Sequence, residues 1–178
     1  DLLSQMTLEE KAGMMFHTMI GMKEDGSLLE ETGPMNPAPT SDLLAKRFMN
    51  HFNVYAIAKP RQTAKWYNRL QKMAERTRLG IPVTISSDPR HAFSKDLGET
   101  ILTSIMQTGG FSQWPEPIGL AATRDAALVR EFGDIARQEY LAVGIRVALH
   151  PMADLATEPR WARIQGTFGE DAELASRM

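Results

Sequence analysis

The segment IPVTISSDP, from Ile81 to Pro89, carries the clearest indication of the fold. Its apolar and β-branched residues form a compact run over Ile81–Ser86, which is typical of a strand buried on both faces of a parallel sheet. The run stops at Asp88 and Pro89. We therefore expect a parallel strand here, with polar residues at its carboxyl end.

Helical and strand patterns alternate on both sides of this strand, interrupted by two long loops at about 21–40 and 90–116. The predicted elements are strands at His51–Ile57 and Ile145–Leu149, and helices at Ser41–Met49, Arg61–Arg78 and from Thr123 or Asp125 to Gly144. Such alternation predicts βαβ units around a parallel sheet, which is either an open doubly wound sheet or part of a (β/α) barrel.

The N-terminal segment carries a helix-start signal. Thr7 followed three residues later by Glu10 forms a capping box. Apolar residues then recur at helical spacing as far as Met19, and His17 falls inside the same segment. This pattern predicts one amphipathic helix that extends past His17.

Composition excludes several classes of function. The 178 residues include 20 basic and 22 acidic ones, with neither sign gathered into a block, so we expect no nucleic-acid partner. No apolar run approaches the roughly 18 residues of a membrane span. The chain has no cysteine, and its 4 histidines show no metal-ligand spacing. No phosphate loop or dinucleotide motif is present, so we expect neither a metal nor a cofactor.

Two aspartates lie where a parallel sheet would form its ligand site. Asp88 and Asp154 each follow a predicted strand, and ligands bind outside the carboxyl ends of such strands. A carboxylate suits a sugar, because its two oxygens can accept hydrogen bonds from neighbouring hydroxyls. Aspartate after a strand also makes turns and caps helices, so a purely structural role stays open at this point.

A second candidate is the segment Glu158–Arg163, in which Arg160 and Arg163 flank Trp161. Two guanidinium groups beside an indole offer forked donors and an apolar plate, a combination that binds sugars. The alternative is a loop fastened by arginine pairs to Glu170 or Asp171. Spacing leaves both interpretations open.

Four stretches together resemble glycoside hydrolase family 3. They are LLSQMTLEEKAGM at Leu2–Met14, IPVTISSDPRH at Ile81–His91, WPEPIGLAATRDAALVREFGDIARQEYLAVGI at Trp114–Ile145 and DLATEPRWARIQGTFGED at Asp154–Asp171. The last two are the most specific. They occur in the family's order across nearly the whole chain, which identifies it as a member of this family.

The resemblance implies that residues 1–178 are the N-terminal portion of a (β/α)8 TIM-type barrel, incomplete in this chain. It also implies β-glucosidase-like, retaining hydrolysis of terminal non-reducing β-D-glycosidic bonds, by two carboxyl groups about 5 Å apart. In the family, the nucleophile lies on a later barrel strand and the acid/base in a following domain or loop. We therefore expect no catalytic residue in this chain, and no activity from it alone.

Family positions carried over to this sequence concern sugar binding only. Asp88 matches the aspartate that holds glycone hydroxyls, and Arg163 matches the arginine that reaches the same sugar. Arg160, His91 and Asp154 fall on recurrent motif positions. They either contact the sugar or orient the first two residues.

Other interpretations remain at this stage. The chain could be a non-catalytic sugar-binding or scaffolding module, or an unrelated parallel α/β protein with coincidental motifs. An incomplete barrel leaves sheet edges unpaired, so we expect the isolated chain to self-associate. Family habit favours a periplasmic or secreted location over a cytoplasmic one, and the expected partner is a β-linked oligosaccharide or glycoside.

Overall fold

A computed structural model of the chain describes residues 1–92 and 109–178. The elements, in chain order, are α1 (Leu2–Gln5), α2 (Leu8–Gly13), β1 (His17–Ile20), α3 (Thr40–Ala45), β2 (His51–Val54), α4 (Pro60–Ala74), β3 (Thr84–Ser87), α5 (Pro117–Ala122), α6 (Ala126–Val143), β4 (Ile145–Ala148), a short 3-10 turn (Ile164–Gly166) and α7 (Ala172–Arg177). Most of the predicted loop at 90–116 lies outside the described residues. No helix in the described ranges is long and apolar enough to cross a membrane.

The four strands form one parallel sheet in the order β1-β2-β3-β4. A doubly wound sheet reverses its strand order at a switch point, whereas a barrel adds each new strand beside the last one. The sequential order is therefore that of the first part of a (β/α) barrel, as expected from the sequence. Within the described residues, β1 and β4 are the edge strands.

The main core lies between the sheet and the helices that cover its outer face. Phe52 of β2 and Ile85 of β3 are fully buried there, packed with Trp66 and Leu70 of α4. Tyr140 of α6 joins the same cluster. Burial of such large apolar side chains stabilises the fold by roughly 1.5–3 kcal/mol each, so this layer fixes the strands that carry the polar residues described below.

The predicted N-terminal helix is correct at its start and wrong at its end. Thr7 and Glu10 form the capping box, but α2 ends at Gly13, and residues from His17 onward form β1. Met15 and Phe16 are 85% and 62% exposed. Pairing of β1 with β2 along four registered residue pairs overrides the helical spacing, so a strand that the sequence did not predict precedes the one that begins at His51.

The helix before β4 agrees with its sequence signals. Asp125 caps its first turn by accepting hydrogen bonds from two backbone amides, and Gly144 ends it with a φ of 91°. A side chain at Gly144 would also meet the ring of Tyr67, since a Cβ there would lie 2.2 Å from that ring. The short helix α5, at Pro117–Ala122, was not predicted from the sequence.

Candidate functional site

Asp88 lies directly after β3, at the carboxyl end of the sheet, and is partly exposed. Its Oδ2 accepts a hydrogen bond from Asn53 Nδ2 at 2.8 Å. No described residue donates to Oδ1. One carboxylate oxygen is therefore fixed by the neighbouring strand, and the other can accept a hydrogen bond from a ligand.

Behind this carboxylate, polar side chains connect three strands. Ser86 Oγ lies 3.0 Å from Asn53 Oδ1, and His17 Nε2 lies 2.8 Å from Ser86 Oγ. Ser86 is fully buried, and Asn53 is 5% exposed. Because the two residues are registered neighbours on β2 and β3, the sheet itself places them side by side.

Arg90 ties the segment after β3 to the end of β2. Its side chain is fully buried and donates to the carbonyl oxygens of Val54 and Tyr55 at 2.7 and 2.9 Å, and to Ser87 Oγ at 2.9 Å. Burial lowers the pKa of this guanidinium from its ordinary value. These bonds hold the turn that carries Asp88 against the sheet.

His91 lies beneath that turn. It is 2% exposed, and its Nε2 lies 2.8 Å from Glu139 Oε2. Its ring stacks on that of Phe111, with the ring centres 5.2 Å apart, and packs against the ring of Tyr140, with the centres 5.0 Å apart. Burial lowers the pKa of His91, and the hydrogen bond to Glu139 partly opposes that shift. In this position His91 supports the loop rather than facing solvent.

Tyr140 connects this buried layer to Asp88. Its hydroxyl lies 3.1 Å from the backbone oxygen of Asp88 and 3.1 Å from His150 Nε2. Burial raises the pKa of Tyr140 to about 12, and burial with the nearby His91 lowers the pKa of His150 to about 4. At neutral pH both side chains are therefore uncharged hydrogen-bonding groups.

The other candidate residues lie on the exposed segment after β4. Arg160 pairs with Glu158, with Nε and Oε1 2.8 Å apart, and not with Glu170 or Asp171, the pairing that the sequence left open as an alternative. Hydrogen bonds from Arg160 lower the pKa of Glu158 to about 2. Arg163 is exposed, and its guanidinium lies 3.5 Å from the sulfur of Met152.

The structure thus brings some of the predicted residues together and leaves others apart. His91 reaches Asp88 through Tyr140. Asp154 is exposed and forms no side-chain hydrogen bond in the described part of the chain. Within residues 1–92 and 109–178, no hydrogen bond or ion pair joins Asp154, Arg160 or Arg163 to Asp88, and no group of three or more acidic or histidine side chains could hold a metal ion.

Sequence reasoning missed Asn53, Ser86, Arg90 and Tyr140. A usable signal existed for the first two, since each directly follows a buried apolar residue on its strand, and strand alternation places it on the opposite face of the sheet. Arg90 and Tyr140 gave no such signal, because an arginine that follows a strand and a tyrosine in the last turn of a helix are usually at least partly exposed.

The chain is similar in sequence to a family of known proteins. The sequence model of the glycosyl hydrolase family 3 N terminal domain matches residues 41–178. The chain is 52% identical to "Beta-glucosidase C" of Emericella nidulans and 50% identical to "Periplasmic beta-glucosidase/beta-xylosidase" of Dickeya chrysanthemi. Both matches cover 100% of the chain and 27% and 26% of the relatives, so the chain spans about a quarter of their length.

Solved structures agree on the fold. A β-glucosidase involved in saponin metabolism from intestinal bacteria aligns with a TM-score of 0.62 and 25% identity, over 99% of this chain and 19% of that one. A family 3 glycosyl hydrolase from Mycobacterium smegmatis aligns with a TM-score of 0.66 at 13% identity, over 99% and 46% of the two chains. Together with the family match over most of its length, these likenesses establish that the chain belongs to glycoside hydrolase family 3.

Proposed function

We propose that the protein carrying this chain hydrolyses terminal non-reducing β-D-glycosidic bonds with retention of configuration, and that residues 1–178 form the first portion of its barrel domain. The substrate is a β-glucoside or β-xyloside, in keeping with the names of the two relatives at 50% identity or more. In this proposal the chain contributes part of the site that binds the non-reducing sugar.

The observation that carries this proposal is the arrangement of Asp88. Its carboxylate lies at the carboxyl end of the sheet, where barrel enzymes bind their ligands. Asn53 occupies Oδ2, and no described residue donates to Oδ1. A fixed carboxylate with an available oxygen is a suitable acceptor for sugar hydroxyls, and each such charge-assisted bond contributes roughly 1.5–3 kcal/mol.

Arg163 supplies the complementary part of the proposed glycone site. Its guanidinium is exposed, and its contact in the described part of the chain is a weak one with the sulfur of Met152. The side chain is therefore available to donate to sugar oxygens. Arg160 is already paired with Glu158, so in this proposal it shapes the loop, and Asp154 borders the same segment.

Hydrolysis with retention needs a carboxylate nucleophile and an acid/base, and we assign neither role to a residue of this chain. The chain alone therefore binds part of a sugar without breaking the bond. If β1 and β4 remain edge strands in the isolated chain, their free backbone groups favour self-association.

The test is hydrolysis of 4-nitrophenyl β-D-glucoside by the chain and by the full-length gene product that contains it. We expect turnover from the full-length protein only. In that protein, Asp88→Ala and Arg163→Ala should each lower kcat/KM by about a hundredfold, the equivalent of one or two charge-assisted hydrogen bonds. Proton NMR of the first product should show the β-anomer.

Matched controls are Asp134→Ala and Arg130→Ala, which make the same changes of residue type on the exposed face of α6. Both should retain wild-type kinetics. Turnover by the isolated chain that depends on Asp88 would disprove our assignment of the catalytic groups to other segments. Sugar binding by the full-length protein without turnover would instead support a non-catalytic module.

We also propose that the protein is exported to the periplasm or secreted. Relatives from Dickeya chrysanthemi and Salmonella typhimurium, 50% and 26% identical to the chain, are both named periplasmic, which supports this location.

A further inference from the structure

We infer that Asn53 is a positioning residue for Asp88, and that Ser86 and His17 in turn hold Asn53. This inference rests on the proposed function, in which the Asp88 carboxylate binds the non-reducing sugar. It adds that a line of hydrogen bonds sets the orientation of the carboxylate. The line begins at His17 on β1, passes through Ser86 on β3 and reaches Asp88 from Asn53 on β2.

The direction of each hydrogen bond follows from chemistry. A carboxylate only accepts, so the group of Asn53 that faces Asp88 Oδ2 at 2.8 Å is its NH2 group. The Asn53 Oδ1 then needs a donor, and the Ser86 hydroxyl lies 3.0 Å away, closer than it lies to its other acceptor, the Phe52 backbone oxygen at 3.4 Å. Ser86 has a single proton, so once that proton is donated to Asn53, the His17 Nε2 at 2.8 Å must carry a proton and donate to Ser86 Oγ.

All the donors in this line therefore point toward Asp88. His17 donates to Ser86, Ser86 to Asn53, and Asn53 to the carboxylate. Hydrogen bonds that run in one direction polarise one another, so each one strengthens the next. The amide of Asn53 cannot turn over without placing its oxygen against the carboxylate and its NH2 group against the donating hydroxyl of Ser86.

Burial makes this arrangement rigid. Ser86 is fully buried and Asn53 is 5% exposed, and both lie on strands whose backbone groups are already paired in the sheet. Asn53 engages Oδ2 alone, so the direction in which Oδ1 faces is set before any ligand arrives. Holding an acceptor in its productive orientation removes an ordering cost from substrate binding and from the transition state.

A stabilising role in the sheet is a weaker explanation of these residues. The net contribution of a buried polar pair is small, and apolar residues of the same shape in both positions could pack about as well. What an apolar pair could not do is hold a carboxylate at the strand end. The line of donors ends at Asp88, so we assign its role to that side chain.

A double-mutant cycle tests the inference in the full-length protein that contains this chain. Asn53→Leu should lower kcat/KM for 4-nitrophenyl β-D-glucoside by about 10–100-fold, the usual effect of removing a group that orients a ligand-binding residue. KM should rise, since a misdirected carboxylate binds sugar less well. In an Asp88→Ala background, the same substitution should cost less than about threefold, because Asn53 acts only through Asp88.

Two further variants give the controls. Thr84→Val alters β3 two residues before Ser86, at a side chain without a hydrogen bond in the described residues, and should leave kcat and KM unchanged. Ser86→Ala removes only a hydroxyl and replaces Asn53→Leu in the cycle if that variant does not fold, with an expected loss of about 3–10-fold. If a substitution only reduces the fraction of folded protein, the apparent kcat falls and KM does not change.

These variants test the role of Asp88 in sugar binding separately from the role of Asn53 in positioning Asp88. If Asp88→Ala has wild-type kinetics, the proposed role of Asp88 is wrong, and this inference fails with it. If Asp88→Ala is impaired while Asn53→Leu is not, or if the two losses multiply in full, only the inference is overturned.

Discussion

The two segments that supply the proposed sugar-binding residues are built in opposite ways. The turn that carries Asp88 is held by buried side chains, with Arg90 fully buried and His91 2% exposed. The segment that carries Arg163 is exposed, and its ion pair joins Arg160 to Glu158 within the same loop. One half of the proposed site is thus part of the scaffold, and the other half lies on the surface.

The two segments therefore differ in how firmly they hold the orientation of the side chains they carry. A residue fixed by several buried hydrogen bonds keeps its orientation through most fluctuations, whereas an exposed loop with local contacts opens at little cost in free energy. We therefore expect changes beneath Asp88 to lower the free energy of unfolding, and changes in the Glu158–Arg163 segment to leave it nearly unchanged.

The largest effect should come from Arg90→Met, which keeps much of the side-chain volume but removes the guanidinium. The carbonyl oxygens of Val54 and Tyr55 and the Ser87 hydroxyl would then lose a buried donor. Each unsatisfied buried group costs about 1–3 kcal/mol, so we expect a loss of roughly 3 kcal/mol or more in the free energy of unfolding. Urea denaturation followed by circular dichroism measures it.

The matched control is Arg130→Met, the same change at an exposed position of α6, which should be close to neutral. Equal unfolding midpoints for the two variants would mean that the buried hydrogen bonds beneath Asp88 contribute no more to stability than an exposed arginine does.

The sequence predicted the architecture better than the site. The strand around Ile85 and the helix closed by Gly144 were visible because their signals are local, being a β-branched run and a left-handed cap. The first strand was mistaken for a continuing helix. Met15, Phe16 and Met19 recur at helical spacing, while the pairing of β1 with β2 is a contact between distant parts of the chain that no local pattern reveals.

The same limit applies to the site. Asp88 was recognisable from its position after a strand, but its partner Asn53 lies 35 residues earlier, and Tyr140 lies 52 residues later. For His91 the sequence left two roles open, contact with the sugar or orientation of Asp88. Only the packing of Phe111 and the pairing with Glu139 reveal that it is buried.

A change of pH should have an intermediate effect on the free energy of unfolding, because it acts on the buried His150 next to the turn that carries Asp88. The pKa of His150 is lowered from 6.5 to about 4 by burial, so below pH 6.5 the unfolded chain binds a proton that the folded chain resists until about pH 4. Stability is therefore lost as the pH falls through this window and changes no further below it. We expect a loss of about 1–3 kcal/mol from this group.

The measurement compares urea unfolding of the wild type and His150→Gln between pH 7 and pH 4. Glutamine can still form a hydrogen bond with Tyr140 and does not titrate, so the variant should lose less stability on acidification. Glu158, with its pKa lowered to about 2, stays ionised in the folded state but takes up a proton in the unfolded chain near pH 4.5, so it adds the same slope to both proteins and cancels in the comparison. Parallel curves for the two proteins would show that His150 is not buried as the structure has it.

The smallest effect should come from Glu158→Gln, which breaks the ion pair with Arg160. Arg160 is 89% exposed at its side chain, and water replaces its lost partner almost completely. We expect an unchanged urea midpoint, together with faster amide exchange confined to the Glu158–Arg163 segment, because the Arg160 amide would then donate to a neutral amide oxygen in place of a carboxylate. A midpoint shift as large as that of Arg90→Met would mean that this segment belongs to the scaffold. The proposed site would then be fixed on both sides rather than on one.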